Sequence, residues 1–540
     1  MQTVHRAGPR GRLRVALALC LAAAGPGLVG SGCRVNEDDV HRWESTARGP
    51  EKLTAVLLHD KYEIPLRVEA ALSLVRMKPR QGRRVGIGMM VDTLAEVAPE
   101  TRAVIVASLV PAIIEHLKAL PPPPTQAGQP APTDGSFPYK DAAYAMLTVE
   151  RTPIIADDKL RQDLKAALVD WAMADFERRL ENRSQAYGME QLLKLIGPAS
   201  VAGLPRLMTT KAKRLDPMAT LVADIGEPAT KEAASAALVE IVKYVASGDW
   251  VRDRKPEVQA ANAASKLEPN EKQLEAQLQQ YQDEELFRVF GALKKVGGRA
   301  AVDWLLAFAA DKNQSEKRRQ GALAALEGKL DKNRPEDASR ILAIATADVP
   351  DVVLDQAFRR AGELPREVVI EKLYDLFKTD KWKIRRAAAA TALRISTAKH
   401  IPEFLGRLPK GAAKGFAMPE ALSYGALFGE LKEGSPRDEV GKFLTTGSPA
   451  ARTSALAYYF SYGTAADLPV VQPLEGDRGE VPVCETDPDC KWSCEVSKEG
   501  AADPKEREVK DIKTIGDFVR FCVEPAMRER QLEPKKEEKK

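Results

Sequence analysis

The chain has 540 residues, too many for one compact core of ordinary size. It is 44% hydrophobic, 29% charged and only 6% aromatic, with Ala and Leu prominent, which favours helix over strand. The formal net charge of +4 equals the charge on Arg6, Arg10, Arg12 and Arg14, and residues 1–32 hold no acid, so the rest is neutral. A neutral body argues against nucleic acid as the main partner, because phosphate binding needs concentrated Lys and Arg.

Residues 1–14 are basic, Val15–Ala24 is a short apolar run, and Gly30-Ser31-Gly32-Cys33 follows. That is the layout of a secretory signal peptide, too short to span a membrane. Its ending resembles the lipobox of bacterial lipoproteins, where small residues precede a cysteine that is lipidated. Ser31 and Gly32 fit; Gly30 stands where Leu is usual, and Leu28 lies two residues too early. The resemblance implies a mature chain beginning at Cys33, diacylated on sulfur and acylated on nitrogen. Several acyl chains anchor stably, since each buried methylene contributes about 0.8 kcal/mol. It places the chain in a bacterial cell envelope, on the periplasmic side of the outer membrane. The competing reading is a cleaved, secreted protein with an incidental cysteine. Cys20 is a poor rival, because Leu19 fills the position that must be small.

Residues 33–50 read as a polar tether, and Leu53–Met77 as a first helical hairpin. Val85–Leu120 supplies further helices. Within it Ala103–Ile114 is apolar, but twelve residues closed by Arg102 and Glu115 predict a buried helix and not a membrane span. Residues 121–138, opening on Pro121-Pro122-Pro123-Pro124, form a long extended loop between repeats. Asp157–Leu180 reads as one amphipathic helix with Leu160, Leu164, Leu168 and Trp171 in register. Tyr187–Ser247 is an alanine-rich array with Ile196-Gly197 and Ile225-Gly226 at helix junctions, an anchor that returns at Val296-Gly297. Residues 249–270 are charged and weakly apolar, hence an insertion. Glu271–Lys295 is helical, with Leu274, Leu278 and Tyr281 on one face. Gln273, Gln277, Gln280 and Glu284 share another, which is either a recognition surface or a solvated face.

Residues 300–465 are the most regular. Pro365 opens a helix carrying Val369, Leu373, Leu376 and Phe377 at helical spacing. Asp380-Lys381 breaks it, and a second helix follows with Ile384, Ala388, Ala392 and Ile395 on one face. Neither helix buries its stripe alone. Copies recur: Asp60-Lys61 precedes Arg67 and Ala70-Ala71-Leu72, and Asp311-Lys312 precedes Arg318-Arg319 and Ala322-Leu323. Looser copies start at Asp348 and Gly447. From Asp311 to Asp348 is 37 residues, from Asp348 to Asp380 is 32, and from Asp380 to Gly447 is 67, room for two units.

Over about residues 42–465 this pattern resembles HEAT repeats, with units somewhat shorter than the roughly 40 residues usual there. The resemblance implies an all-α solenoid of stacked antiparallel helix pairs over residues 51–465. It also implies a ladder in which an Asp before the second helix meets an Arg about one turn into it. Asp380 with Arg386 fits that spacing best; Asp311 with Arg318 and Asp60 with Arg67 are one residue looser. An architecture follows, and not an activity.

Residues 466–530 change character and hold Cys484, Cys490, Cys494 and Cys522. In an exported protein four cysteines most simply form two disulfides, which would staple a small cap onto the solenoid's end. Composition leaves three pairings open; Cys484 with Cys494 and Cys490 with Cys522 is favoured, because the latter ties the loop to the last helix. Zinc is the other use of four cysteines, but C-x5-C-x3-C departs from the usual C-x2-C knuckle. Residues 531–540 form a disordered charged tail.

Of the histidines, His41, His59, His116 and His400 follow the leader, all isolated, and Glu115-His116 reads as a surface pair. No phosphate-binding loop, nucleophile elbow or dinucleotide fingerprint is present. The reading is therefore no catalytic residue, no metal, no cofactor and no small-molecule substrate. It points to a lipid-anchored, periplasmic-side scaffold that binds protein partners through the solenoid. An envelope enzyme or enzyme accessory factor, with its site in a groove or in the Cys-bearing cap, is the alternative.

Overall fold

The computed structural model describes residues 34–79, 84–120, 134–149, 153–181, 188–347, 349–410, 416–482, 491–497 and 507–532. The leader, Cys33, Asp348, Cys484, Cys490 and residues 121–133 of the proline loop lie outside the described residues, and the loop's expected last residues, Phe137 and Pro138, already belong to a helix. The chain divides into two units, residues 1–171 with 183–187 and residues 172–182 with 188–540.

The first unit opens with a helix where a tether was expected. In α1 (Glu37–Trp43) the Asn36 side chain accepts from the Asp39 amide, and the Asp39 carboxylate accepts from the Asn36 amide. This reciprocal cap satisfies two orphan donors and seats Val40, which is fully buried. The hairpin α2 (Gly49–Leu58) and α3 (Ile64–Arg76) buries Leu53, Val56 and Leu57 against Val68, Ala71 and Leu74. α4 (Val85–Glu96), α5 (Pro99–Leu117) and α6 (Phe137–Thr148) pack onward from it. α5 buries Ile105, Val106, Leu109, Val110 and Ile113 against its neighbours. Among the described residues no helix is long and apolar enough to cross a membrane.

α7 (Asp158–Ala174) stops short of the single helix expected to Leu180. Asp175 leaves the helix, pairs with Arg178 at 2.6 Å, and α8 (Phe176–Glu181) restarts. In the second unit α9 (Met189–Ile196) ends on Gly197, whose φ of +94° suits only glycine. α10 (Leu204–Leu207), α11 (Leu215–Ile225) and α12 (Pro228–Ala246) follow. Much of the expected insertion at residues 249–270 is helical: α13 (Gly248–Ala264) lies on α14 (Glu271–Val296) through Val258, Leu274 and Leu278.

Then the pairs become regular. α15 (Arg299–Ala310) precedes α16 (Glu316–Ala325), α17 (Pro335–Thr346) precedes α18 (Asp351–Ala361), and α19 (Arg366–Asp375) precedes α20 (Trp382–Arg394). α21 (Ile401–Arg407) leads to α22 (Met418–Glu430), and α23 (Pro436–Gly441) to α24 (Pro449–Tyr462). Second helices pack in series, α14 on α16, α16 on α18, and so on to α24, while α15, α17 and α19 form a parallel row. This is an α-solenoid of HEAT-like pairs: each apolar stripe finds its partner on the next unit. Buried alanines such as Ala322, Ala357, Ala388 and Ala392 keep the second helices close.

α22 packs closely against α24. A Cβ added at Gly425 would stand 2.2 Å from the Ala457 carbonyl carbon, and one at Gly429 would stand 2.2 Å from the Tyr462 ring. Gly425 therefore lets backbone meet backbone, and Gly429 makes room for the Tyr462 ring. The Tyr462 hydroxyl closes the edge by donating to the Ala426 carbonyl at 2.9 Å.

Past α25 (Leu468–Val471) the chain departs from an all-helical reading. β1 (Ser493–Ser497) and β2 (Arg507–Asp511) form an antiparallel hairpin with Ser493 opposite Asp511 and Ser497 opposite Arg507. α26 (Ile515–Phe518) then runs through a π-helical turn, Val519–Val523, into α27 (Glu524–Leu532). These last helices pack on α24 and cap the stack, with Met527 fully buried.

Candidate functional site

Of the expected Asp–Arg pairs, Asp60 with Arg67 forms, and Arg67 also caps the helix before it. Arg67 is 1% exposed and its Nη1 lies 3.1 Å from Asp60. Its main work is to donate from Nε to the Leu57 carbonyl at 2.9 Å and from Nη2 to the Leu58 carbonyl at 3.1 Å. Those are orphan acceptors at the end of the first helix, so the arginine caps its own hairpin. Arg319, Arg385 and Arg452 repeat this on the Ala309, Thr379 and Leu444 carbonyls at 2.8, 2.5 and 2.8 Å.

Two predicted pairs need correction. Asp311 accepts from the Asn313 amide and Gln314 side chain, while Arg318 turns to Asp283 and Gln282 of the preceding unit at 2.5 and 2.7 Å. Asp380 and Arg386 are exposed; Arg386 lies over the Trp382 ring, 5.3 Å from its centroid. Neighbouring Arg385 makes the buried link, donating to both carboxylate oxygens of Glu420 on the next unit at 3.1 and 2.8 Å. Successive helical residues point about 100° apart, so Arg318 and Arg319 are both buried but reach different partners, while of Arg385 and Arg386 only Arg385 faces inward.

The disulfide prediction also changes. Cys522, on the π-turn, bonds Cys494 of β1 and not Cys490, while Cys484 and Cys490 lie outside the described residues. The staple still ties the hairpin to the last helices. Beside it Trp492 meets Phe518 edge to face at 5.4 Å and donates from its indole to the Phe416 carbonyl at 3.3 Å.

A concavity lies elsewhere, a cleft of about 830 Å³ walled by the 210–213 loop, the α12–α13 junction and α14. Glu177 fixes the loop by accepting from the Lys213 and Arg214 amides at 2.6 and 2.9 Å. Arg288 donates to the Ala212 carbonyl at 3.2 Å and pairs with Glu285. Trp250, 9% exposed, forms part of the wall, and Tyr281, 36% exposed, stands in it. The Tyr244 hydroxyl donates to Asp253 at 3.0 Å, and burial pushes its pKa above the ordinary phenol value. Lys211, Lys213, Arg254 and Arg288 face Asp253, Glu257, Glu284 and Glu285, so the lining carries both signs in balance.

Sequence reasoning found Tyr281 and Glu284 but missed Tyr244, Trp250 and Asp253, because residues 249–270 looked like an insertion. The usable signal was Trp250 itself, a large apolar ring in a charged run. The amide face is largely occupied: Gln277 exchanges hydrogen bonds with Asn262, and Gln282 is buried, donating to the Val245 carbonyl at 2.7 Å. Only its Tyr281 and Glu284 end opens into the cleft.

No protein-family model matches the chain, and no curated protein does. Among solved structures, an engineered protein is 13% identical, with 78% of this chain and 98% of that chain covered and a TM-score of 0.23. The karyopherin Kap121p bound to the SUMO protease Ulp1p is 13% identical over 81% of this chain and 46% of its own, with a TM-score of 0.27. Kap121p bound to Nup53p is 11% identical over 88% of this chain and 60% of its own, with a TM-score of 0.24. The chain thus spans about half of the karyopherin's length. At these scores the likeness is distant, and the solenoid reading stands on the helix packing itself.

Proposed function

We propose that this chain is a protein-binding scaffold that holds an extended polypeptide segment in the cleft between the 210–213 loop, Trp250 and Tyr281. The observation that carries this is the lining: three aromatic residues beside four cations and four anions. Aromatic rings give contact area at low entropy cost, and flanking charges of both signs suit a peptide bearing mixed charges. The helix pairs supply a stable frame, and the charged loop supplies selectivity. Acyl chains on Cys33 would hold this frame on the periplasmic side of a bacterial outer membrane. The small residues before Cys33 support that anchoring.

A photo-crosslinking residue in place of Tyr281, in living cells, tests the cleft. The expected result is a discrete set of protein adducts that Trp250→Ala depletes at least tenfold. An adduct pattern unchanged by Trp250→Ala would remove the cleft as the binding site. Mass analysis of the mature amino terminus tests the anchor separately: an unacylated residue there would end it.

A further inference from the structure

We propose that Glu37, His41 and Glu69 form a binding site for a divalent transition-metal ion of the zinc class. Glu37 and His41 stand four residues apart on α1, so they share one face, and Glu69 reaches them from α3, which packs on α1. His41 Nε2 lies 2.7 Å from Glu69 Oε1 and 3.9 Å from Glu37 Oε1. The three donor atoms all fall within 4.8 Å of one another. Oxygen and nitrogen ligands bind zinc at about 2.0–2.2 Å, so two ligands on a tetrahedral ion stand about 3.4 Å apart. The two measured separations bracket that value, and a bound ion would draw all three atoms to it.

The donor set selects the ion. One imidazole with two carboxylates suits Zn²⁺, Co²⁺ or Fe²⁺ better than Mg²⁺ or Ca²⁺, which prefer all-oxygen shells. Outer-shell support is already built. Arg76 pairs with Glu69 and, at 2.8 Å, with Glu44. Ser73 donates to Glu44 at 2.8 Å. Arg76 donates to Glu69 Oε1, the oxygen that also meets His41, and so fixes the orientation of this carboxylate. The reciprocal Asn36–Asp39 cap fixes the first turn that carries Glu37. Glu37 and Glu69 also line a cleft of about 670 Å³ with Lys61 and Tyr62, so solvent or an anionic ligand reaches the remaining coordination positions. Metal binding replaces the His41–Glu69 hydrogen bond with two coordinate bonds, so His41 must present an unprotonated Nε2.

The test uses Zn²⁺ and Co²⁺ added to the tag-free full chain, kept oxidised and carrying Cys33→Ser so that no free thiol there competes. The expected result is one equivalent of Zn²⁺ held against a chromophoric chelator. His41→Ala and Glu37→Gln should each weaken it at least tenfold. Both positions are exposed, so the apo midpoint of unfolding should stay unchanged, while Zn²⁺ raises that midpoint only in the parent chain. Co²⁺ should give a visible d–d band that His41→Ala abolishes. Failure to take up Zn²⁺, or uptake and Co²⁺ spectra equal in parent and His41→Ala, would overturn the site.

Discussion

Between Arg299 and Tyr462 the fasteners are short in sequence. Arg319 reaches a carbonyl 10 residues back, and Arg385 reaches one 6 residues back and a carboxylate 35 residues on, one repeat away. Between Leu468 and Leu532 they are long: Trp492 donates across 76 residues to Phe416, and Arg530 across 71 to Tyr459. Cys494–Cys522 closes a further loop of separation 28. The stack spreads its stability over many similar interfaces, each closing a short loop at low entropic cost. The end module has little core of its own and depends on a few closures, one of them covalent.

Four measurements sharpen or break that contrast. The largest effect is expected at Arg385, where Arg385→Ala leaves buried Glu420 uncompensated between two repeats and should cost about 3–5 kcal/mol in chemical denaturation. Arg386→Ala, one residue along, should cost under about 0.5 kcal/mol. Equal effects would mean that the inward register is misassigned. Next, Cys494→Ser with Cys522→Ser should remove about 3 kcal/mol from the end module alone. Near-ultraviolet dichroism from Trp492 should collapse early while the far-ultraviolet midpoint of the stack holds; a joint shift of both would merge the two regions. Gly425→Val should cost about 1–3 kcal/mol or more, because α22 and α24 must separate to admit the side chain.

The smallest effect is an acid slope. Hydrogen bonds from Arg299, and then from Arg340, hold the Asp303 carboxyl well below its ordinary value of 3.8. A depressed folded-state pKa gives stability that is present above the unfolded value and lost as pH falls below it. Asp303→Asn should therefore flatten the fall in Tm between about pH 5 and pH 2. A slope identical to that of the parent chain would show that these three residues do not act together.

Much of the architecture was legible because helical period, alanine runs and Gly or Pro punctuation agreed from Leu53 onward. Three things were not. The Arg318-Arg319 and Arg385-Arg386 doublets hid which member takes which partner, since a register shift of one residue turns a side chain by about 100°. The helix at Gly248–Ala264 hid because it buries one short stripe, Trp250, Val258 and Asn262, and exposes the rest. The Glu37–His41–Glu69 cluster hid because its third member lies 28 residues from the histidine, a distance that only the packing of α1 on α3 closes. The capping box at Asn36–Asp39 was readable in the sequence and would have corrected the tether.

Gly425 bears on how the chain yields under load. Where helices meet through side chains, rotamers slide past one another and the joint bends. Where main chain rests on main chain, nothing is left to slide. The α22–α24 joint is thus a stiff splice, and a pulling experiment should find it among the last joints to part.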